Sequence, residues 1–157
     1  MRIRILCVGR LKDGPERELV DDYLERARKS GKQLGYRAVE EIEIASSSKE
    51  DEGARLLAKH DPNKQGGDVL IRLDERGEAW TSQDLSKRLV RWRDAGEDAV
   101  SFVIGGAEGT SSAVAKAARH TLSFGVQTWP HRLVRVMLAE QLYRALSIEA
   151  GSPYHRE

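Results

Sequence analysis

The chain has 157 residues with 26 Lys and Arg against 25 Asp and Glu, a formal net charge of +1, which is the length of one domain with a real core and short of two comfortable ones. So even a balance excludes a protein that coats nucleic acid or membrane by bulk charge. A lone cysteine, Cys7, excludes an internal disulfide, gives no metal-ligand spacing and fits a reducing compartment.

Arg2 to Val8 predicts a first strand, and its apolar stretch is too short for a signal peptide. No run approaches membrane-spanning length, so a cytoplasmic protein without a membrane partner is expected. Gly9 to Gly14 predicts a turn, and Pro15 opens a helix because its missing N–H would be unpaired there anyway. Leu19, Tyr23 and Ala27 recur at helical spacing as core positions, with an end near Gly31. Tyr36 to Ile44 alternates as a second strand. A Ser-Ser-Ser cap then precedes a charged helix with Ala54, Leu56, Leu57 and His60. Asp61 to Gly67 is turn chemistry and Asp68 to Leu73 a third strand. Thr81 with Asp84 forms a capping box for a helix that aligns Leu85, Leu89 and Trp92 on one face. Ala99 to Ile104 is apolar apart from Ser101, as suits a strand buried on both faces. Alternating strands and helices predict one α/β domain over residues 1–157, its sheet mostly parallel and flanked by helices.

The fourth strand ends in Ile104-Gly105-Gly106-Ala107-Glu108-Gly109, before a helix starting near Thr110 with a Thr-Ser-Ser cap. Ligands in α/β sheets gather beyond the carboxyl ends of strands. A dinucleotide fingerprint fails here, since position 104 is Ile and no acid occurs between Glu108 and Glu140. A P-loop fails because no Gly-Lys-Ser or Gly-Lys-Thr follows. A flavodoxin-like phosphate loop is missing after the first strand, where Val8 to Lys12 holds one glycine. What remains is a tight turn, structural or able to lay a flat ligand against backbone.

From Gly109 onward six bases stand against three acids, so positive charge gathers in the last third. Leu122 to Trp129 mixes β-formers with Gly125 and reads as a strand running into a helix at Pro130. In His131 to Ile148 the apolar residues spread almost all the way round, with Arg132 and Arg135 in one polar zone and Glu140, Arg144 and Ser147 in another. Such a helix buries most of its sides, either in a monomer core or against a second copy in an isologous dimer.

Two motifs coincide: strand-IGGAEG-helix, and the closing block TWPHRLVRVMLAEQLYRALSIEAGSPYHRE. Together they resemble the SPOUT-class RNA methyltransferases, specifically the small single-domain bacterial family that methylates N3 of a pseudouridine in large-subunit rRNA. The resemblance spans the chain, from the opening strand with its Val-Gly turn through Leu73-Asp74 to both motifs. It implies an α/β knot fold with a C-terminal trefoil, working as a homodimer on 23S rRNA within the ribosome or large subunit. It also implies S-adenosyl-L-methionine as cofactor, held against Leu73, the Gly105-Gly106 turn and the segment Phe124, Gly125, Val126, Gln127, Thr128 and Trp129.

Methyl transfer from a sulfonium depends on in-line positioning and needs no metal. The N3 of pseudouridine carries a proton, so a base assists. Beside the resemblance, His155 is the candidate base and Tyr154 orients or stacks on the nucleobase. Arg144 and Arg156 bind phosphate or steady charge developing on the nucleobase oxygens; Arg144 also has Glu140 one turn earlier as a simple ion-pair partner. His131 reads as a structural residue at a helix start. A non-enzymatic RNA- or ribosome-binding module is the alternative that the basic C-terminal third would serve, and it predicts no affinity for S-adenosylmethionine.

Overall fold

The computed structural model describes residues 1–155 except 62 and 64, and of His155 only the backbone. Five strands form one sheet: β1 (Arg2–Val8), β2 (Ala38–Ile44), β3 (Asp68–Ala79), β4 (Ala99–Ile104) and β5 (His120–Ser123). They lie in the order β2-β1-β4-β3-β5, and every neighbouring pair is parallel. Helices α1 (Pro15–Gln33), α2 (Lys49–Leu57), α3 (Ser82–Asp94), α4 (Ser112–Ala117) and α5 (His131–Glu149) cover its faces, and a 3₁₀ turn, Pro153–His155, follows.

Alternation along the strands sorts the core into two layers. Ile3, Ile5 and Cys7, with Val69, Ile71, Val100 and Phe102, pack under α1, α3 and α5. Leu6, Val8, Leu70 and Val103 pack with Leu56 of α2 and Val114 of α4. Burial on both faces is why β1 and β4 read as continuous apolar runs. It also pushes the Cys7 thiol up to about 12, because the thiolate has no water, the nearby Arg135 offsetting only part of that cost.

The helix starts follow from local chemistry. Ser48 accepts the Asp51 N–H, Ser111 accepts that of Val114, and Thr81 and Asp84 form a complete capping box, each cap being worth about 1 kcal/mol. Three expectations need correction. The buried stripe of α1 is Val20, Leu24, Ala27 and Gly31, whereas Leu19 is 45% exposed and Tyr23 only partly buried. Helix α1 ends at Gln33, near Gly31 as expected, and Gly31 packs beside Tyr36, Val39 and Leu146.

Strand β3 does not stop at Leu73. It slips register between Leu73 and Glu78, then pairs again with β5. Gly77 makes that return possible, since a Cβ there would lie 2.5 Å from the Thr121 carbonyl oxygen. The expected strand over 122–129 is instead a short strand ending at Ser123 and then a loop. The Ser123 hydroxyl accepts the Gly125 N–H at 3.1 Å, and Gly125, at φ 113°, turns the chain out of the sheet.

Candidate functional site

The register break of β3 and the carboxyl ends of β4 and β5 enclose a cleft of about 140 Å³, at the edge where open α/β sheets present backbone to ligands. Leu73, Asp74 and Glu75 form one wall, Gly105, Gly106 and Gly109 a second, and Phe124, Gly125, Gln127, Thr128 and Trp129 a third; His131 and Val134 of α5 close it. Of the residues expected to hold a cofactor, all but Val126 line this one cleft. Val126 is 89% exposed and is not among the lining residues. Once Gly125 turns the chain, its side chain has left the sheet.

Close packing fixes the glycine wall. A Cβ on Gly105 would meet the Gly109 carbonyl carbon at 2.6 Å, and the turn closes on a hydrogen bond from Gly109 N–H to the Gly106 carbonyl at 3.0 Å. The other two walls are tied together. The Ser123 hydroxyl lies 3.1 Å from the Glu75 carbonyl oxygen and 2.8 Å from that of Gly125, and the Thr128 hydroxyl donates to Glu75 Oε2 at 2.6 Å. Asp74 is engaged by the Arg76 N–H at 2.9 Å and by the Arg72 guanidinium at 3.3 Å. No Lys or Arg side chain lines the cleft. Its electrostatics therefore disfavour a phosphate and suit a flat group that also carries positive charge.

The expected catalytic residues gather elsewhere. Arg144 donates to Glu140 Oε1 from Nε at 2.9 Å and from Nη2 at 2.6 Å, so the simple helical ion pair is present. The same oxygen accepts the Tyr154 hydroxyl at 3.1 Å. The Tyr154 ring packs, tilted by 53°, 4.4 Å from that of Tyr143 and lies 5.0 Å from the Arg144 guanidinium carbon. Burial first, then a hydrogen bond with Tyr23 and the Glu140 charge, raise the Tyr154 phenol well above its ordinary range; it stays protonated and donates. Arg144 is held charged chiefly by its hydrogen bond to Glu140. His155 closes the 3₁₀ turn, but its side chain, like the whole of Arg156, lies outside the described residues.

Val134 at the cleft and Arg144 in this cluster are ten residues apart on one helix, roughly 15 Å at 1.5 Å rise per residue. Within one chain the two halves of the expected site thus stand well apart. A groove of about 530 Å³ runs between them, lined by Leu19 and Tyr23 of α1, Val136, Met137 and Glu140 of α5, and Trp80; Phe124 and Gly125 belong to both groove and cleft.

Sequence reasoning missed the role of Arg135, which it grouped with exposed Arg132. Arg135 is 2% exposed and donates from Nη1 to Glu43 at 2.5 Å and Glu41 at 3.2 Å, and from Nη2 to the Gly9 carbonyl at 3.1 Å. Arg17 of α1 shares Glu41 at 2.6 Å. Partners 94 and 92 residues away leave no trace in helical periodicity. Among the described residues no His, Cys, Asp or Glu cluster is placed to hold a metal, and no helix is long and apolar enough to cross a membrane.

Comparison with known proteins bears on this arrangement. Residues 1–155 match the family described as "Predicted SPOUT methyltransferase". The ribosomal RNA large subunit methyltransferase H of Hyphomonas neptunium is 59% identical over 157 residues, covering 99% of both chains. That of Bradyrhizobium diazoefficiens is 46% identical over 162 residues with the same coverage. Among solved structures, a probable methylase family protein from Haemophilus influenzae superposes with a TM-score of 0.53 at 10% identity, over 99% of this chain and 70% of that one.

Proposed function

The chain belongs to the SPOUT methyltransferase family, and from that premise we propose that it transfers a methyl group from S-adenosyl-L-methionine to N3 of a pseudouridine in the 23S RNA of the large ribosomal subunit, in the cytoplasm. The observation that carries the cofactor assignment is the cleft at the strand ends, which has backbone walls, no cation and two carboxylates. Those features fit a cofactor that carries a flat ring and positive charge, which the glycine backbone and the Asp74 and Glu75 carboxylates would hold. Leu73, Gly105, Gly106, Phe124, Gly125, Gln127, Thr128 and Trp129 are the residues that hold it. When bound, the cofactor supplies an electrophilic methyl group, and no metal is needed.

The remaining work falls to protein groups. The nucleobase must arrive in line with the methyl group and lose its N3 proton. His155 is the candidate base, Tyr154 orients the nucleobase, and Arg144 and Arg156 steady negative charge on its oxygens. Arg144 stands roughly 15 Å along α5 from the cleft of its own chain, and Tyr154 packs beside it with its hydroxyl on Glu140. A working site therefore combines the cofactor cleft of one subunit with the tail of a second. The apolar groove supports such a homodimer, because a partner seated on Leu19, Tyr23, Val136 and Met137 touches Phe124 at the cleft and Glu140 at the tail cluster together. The hydrogen bonds from Ser123 and Thr128 to the Glu75 excursion of β3 fit a C-terminal third threaded as a trefoil knot.

The test is mass mapping of 23S rRNA from cells lacking this protein, alone and complemented. One pseudouridine is expected to lose a single methyl group and regain it on complementation. An unchanged modification profile overturns the reaction, and calorimetry showing no heat with S-adenosylhomocysteine would favour a binding module.

A further inference from the structure

Helix α5 begins between two clefts. Beyond the cofactor cleft, a second one of about 270 Å³ opens between the β1–α1 loop and the first turns of α5, and His131 lines both. Its chemistry is the reverse of the first. Arg10 and Lys12 line it from the loop, Arg132 and Arg135 from the helix. Of its two acids, Asp13 and Glu16, the latter stands 3.5 Å from Arg132. Arg10 and Lys12 are exposed and make no ion pair among the described residues.

The loop that carries these two bases is held in place. Its Leu11 N–H donates to Glu43 Oε2 at 2.6 Å, the oxygen that also takes Arg135 Nη1, while Arg135 Nη2 fixes the Gly9 carbonyl. Burial alone would raise the Glu43 carboxyl, yet the Leu11 N–H and the Arg135 guanidinium overcome it and hold the group below its ordinary range. Two further features call for an anion. The Nε of Arg135, buried with the rest of that side chain, has no acceptor among the described residues, and a buried donor without an acceptor is costly. Helix α5 starts at Pro130 with no side-chain cap and no acid in its first turn, so its free N–H groups and dipole add positive charge at the same place.

We propose that this second cleft binds a backbone phosphate of the RNA strand that carries the target nucleotide, with Arg10, Lys12, Arg132, the start of α5 and the unpartnered Nε of Arg135 facing the phosphate while the two Nη groups of Arg135 position the loop. The inference rests on the reading of the chain as an RNA methyltransferase. Because His131 walls both clefts, a strand gripped here passes beside the cofactor. Phosphate contacts carry no sequence information but set register, which is the task left over when the tail handles the nucleobase.

The experiment compares the wild type with an Arg10→Ala/Lys12→Ala variant and with Arg10→Lys/Lys12→Arg, using ribosomes and large subunits from cells lacking the protein. Both positions are exposed, and circular dichroism checks that the fold persists. The alanine variant is expected to raise KM at least ten-fold with kcat within two-fold, and to reduce the slope of log affinity against log salt by about 1.5 for two lost contacts. The charge-preserving variant restores both. Unchanged KM and slope overturn the proposal. So does a loss of S-adenosylhomocysteine affinity in calorimetry at unchanged ribosome KM, which would assign the cleft to the cofactor's carboxylate. If the wild type methylates no ribosomal RNA, the proposed reaction fails instead. The salt slope for a fluorescein-labelled single-stranded RNA then decides the cleft, equal slopes for wild type and alanine variant counting against it.

Discussion

The two clefts that meet at His131 share a helix start yet differ in almost every physical respect. The cleft at the strand ends is walled by backbone, holds two carboxylates and lacks a cation; its neighbour is walled by long basic side chains and floored by a buried arginine. Placing them side by side separates two ligands that would otherwise compete. A cationic cofactor is repelled by the second, and a polyanionic RNA by the first. A protein of net charge +1 can in this way handle RNA without a basic coat, because a few bases are concentrated where the strand must pass.

The sharpest way to break the contrast is to release the loop that walls the second cleft. Arg135→Met takes the buried cation from Glu41 and Glu43 and leaves them only Arg17 as a cation among the described residues, and breaking a buried pair this way costs about 3 kcal/mol; urea denaturation measures it. A loss under about 1 kcal/mol would mean that the clamp does not hold the loop. Next in size, Gly105→Ala forces the turn away from the Gly109 carbonyl. S-adenosylhomocysteine affinity should fall about ten-fold, near 1.4 kcal/mol, in calorimetry, while the salt slope of RNA binding stays as in the wild type. Equal losses of both ligands would dissolve the distinction between the clefts.

The smallest effect concerns pH. Glu43 has a folded-state pKa below its unfolded one, so its contribution to stability is fully present above the ordinary glutamate pKa near 4.3. That contribution is lost as pH falls through the lower folded value, because the unfolded chain then takes up the proton first. Glu43→Gln should flatten the acid limb of a stability profile below about pH 4.5 and leave the neutral region nearly flat. An unchanged acid limb would remove Glu43 from the clamp.

The legible parts of the sequence were those whose cause is local. β1 and β4 appear at the residues their continuous apolar runs predict, and the Thr81–Asp84 capping box forms as its spacing requires. The glycine turn was recognisable as a tight turn at a strand end because strand, glycines and capped helix follow one another directly, and it walls a cleft there. What escaped depends on distant partners. Leu19 and Tyr23 sit one residue off the buried stripe of α1, and only the fold reveals that they line a groove with α5. The end of β5 is set by a hydroxyl bond to the Glu75 carbonyl across the sheet. Arg135 looked like a surface base because its acids arrive from β2, which no spacing rule within α5 anticipates.

The central position of Cys7 gives this chain a built-in clock. Thiol reagents attack the thiolate, and at about 12 the Cys7 pKa leaves almost none at neutral pH, besides the absence of any route for a reagent to a fully buried sulfur. With one cysteine in the sequence, every labelling event reports an opening of the core layer between β1 and the helices that cover it. Mild alkylation will therefore spare the native enzyme, and the rate at which label accumulates in a resting sample counts how often the centre of the molecule comes apart.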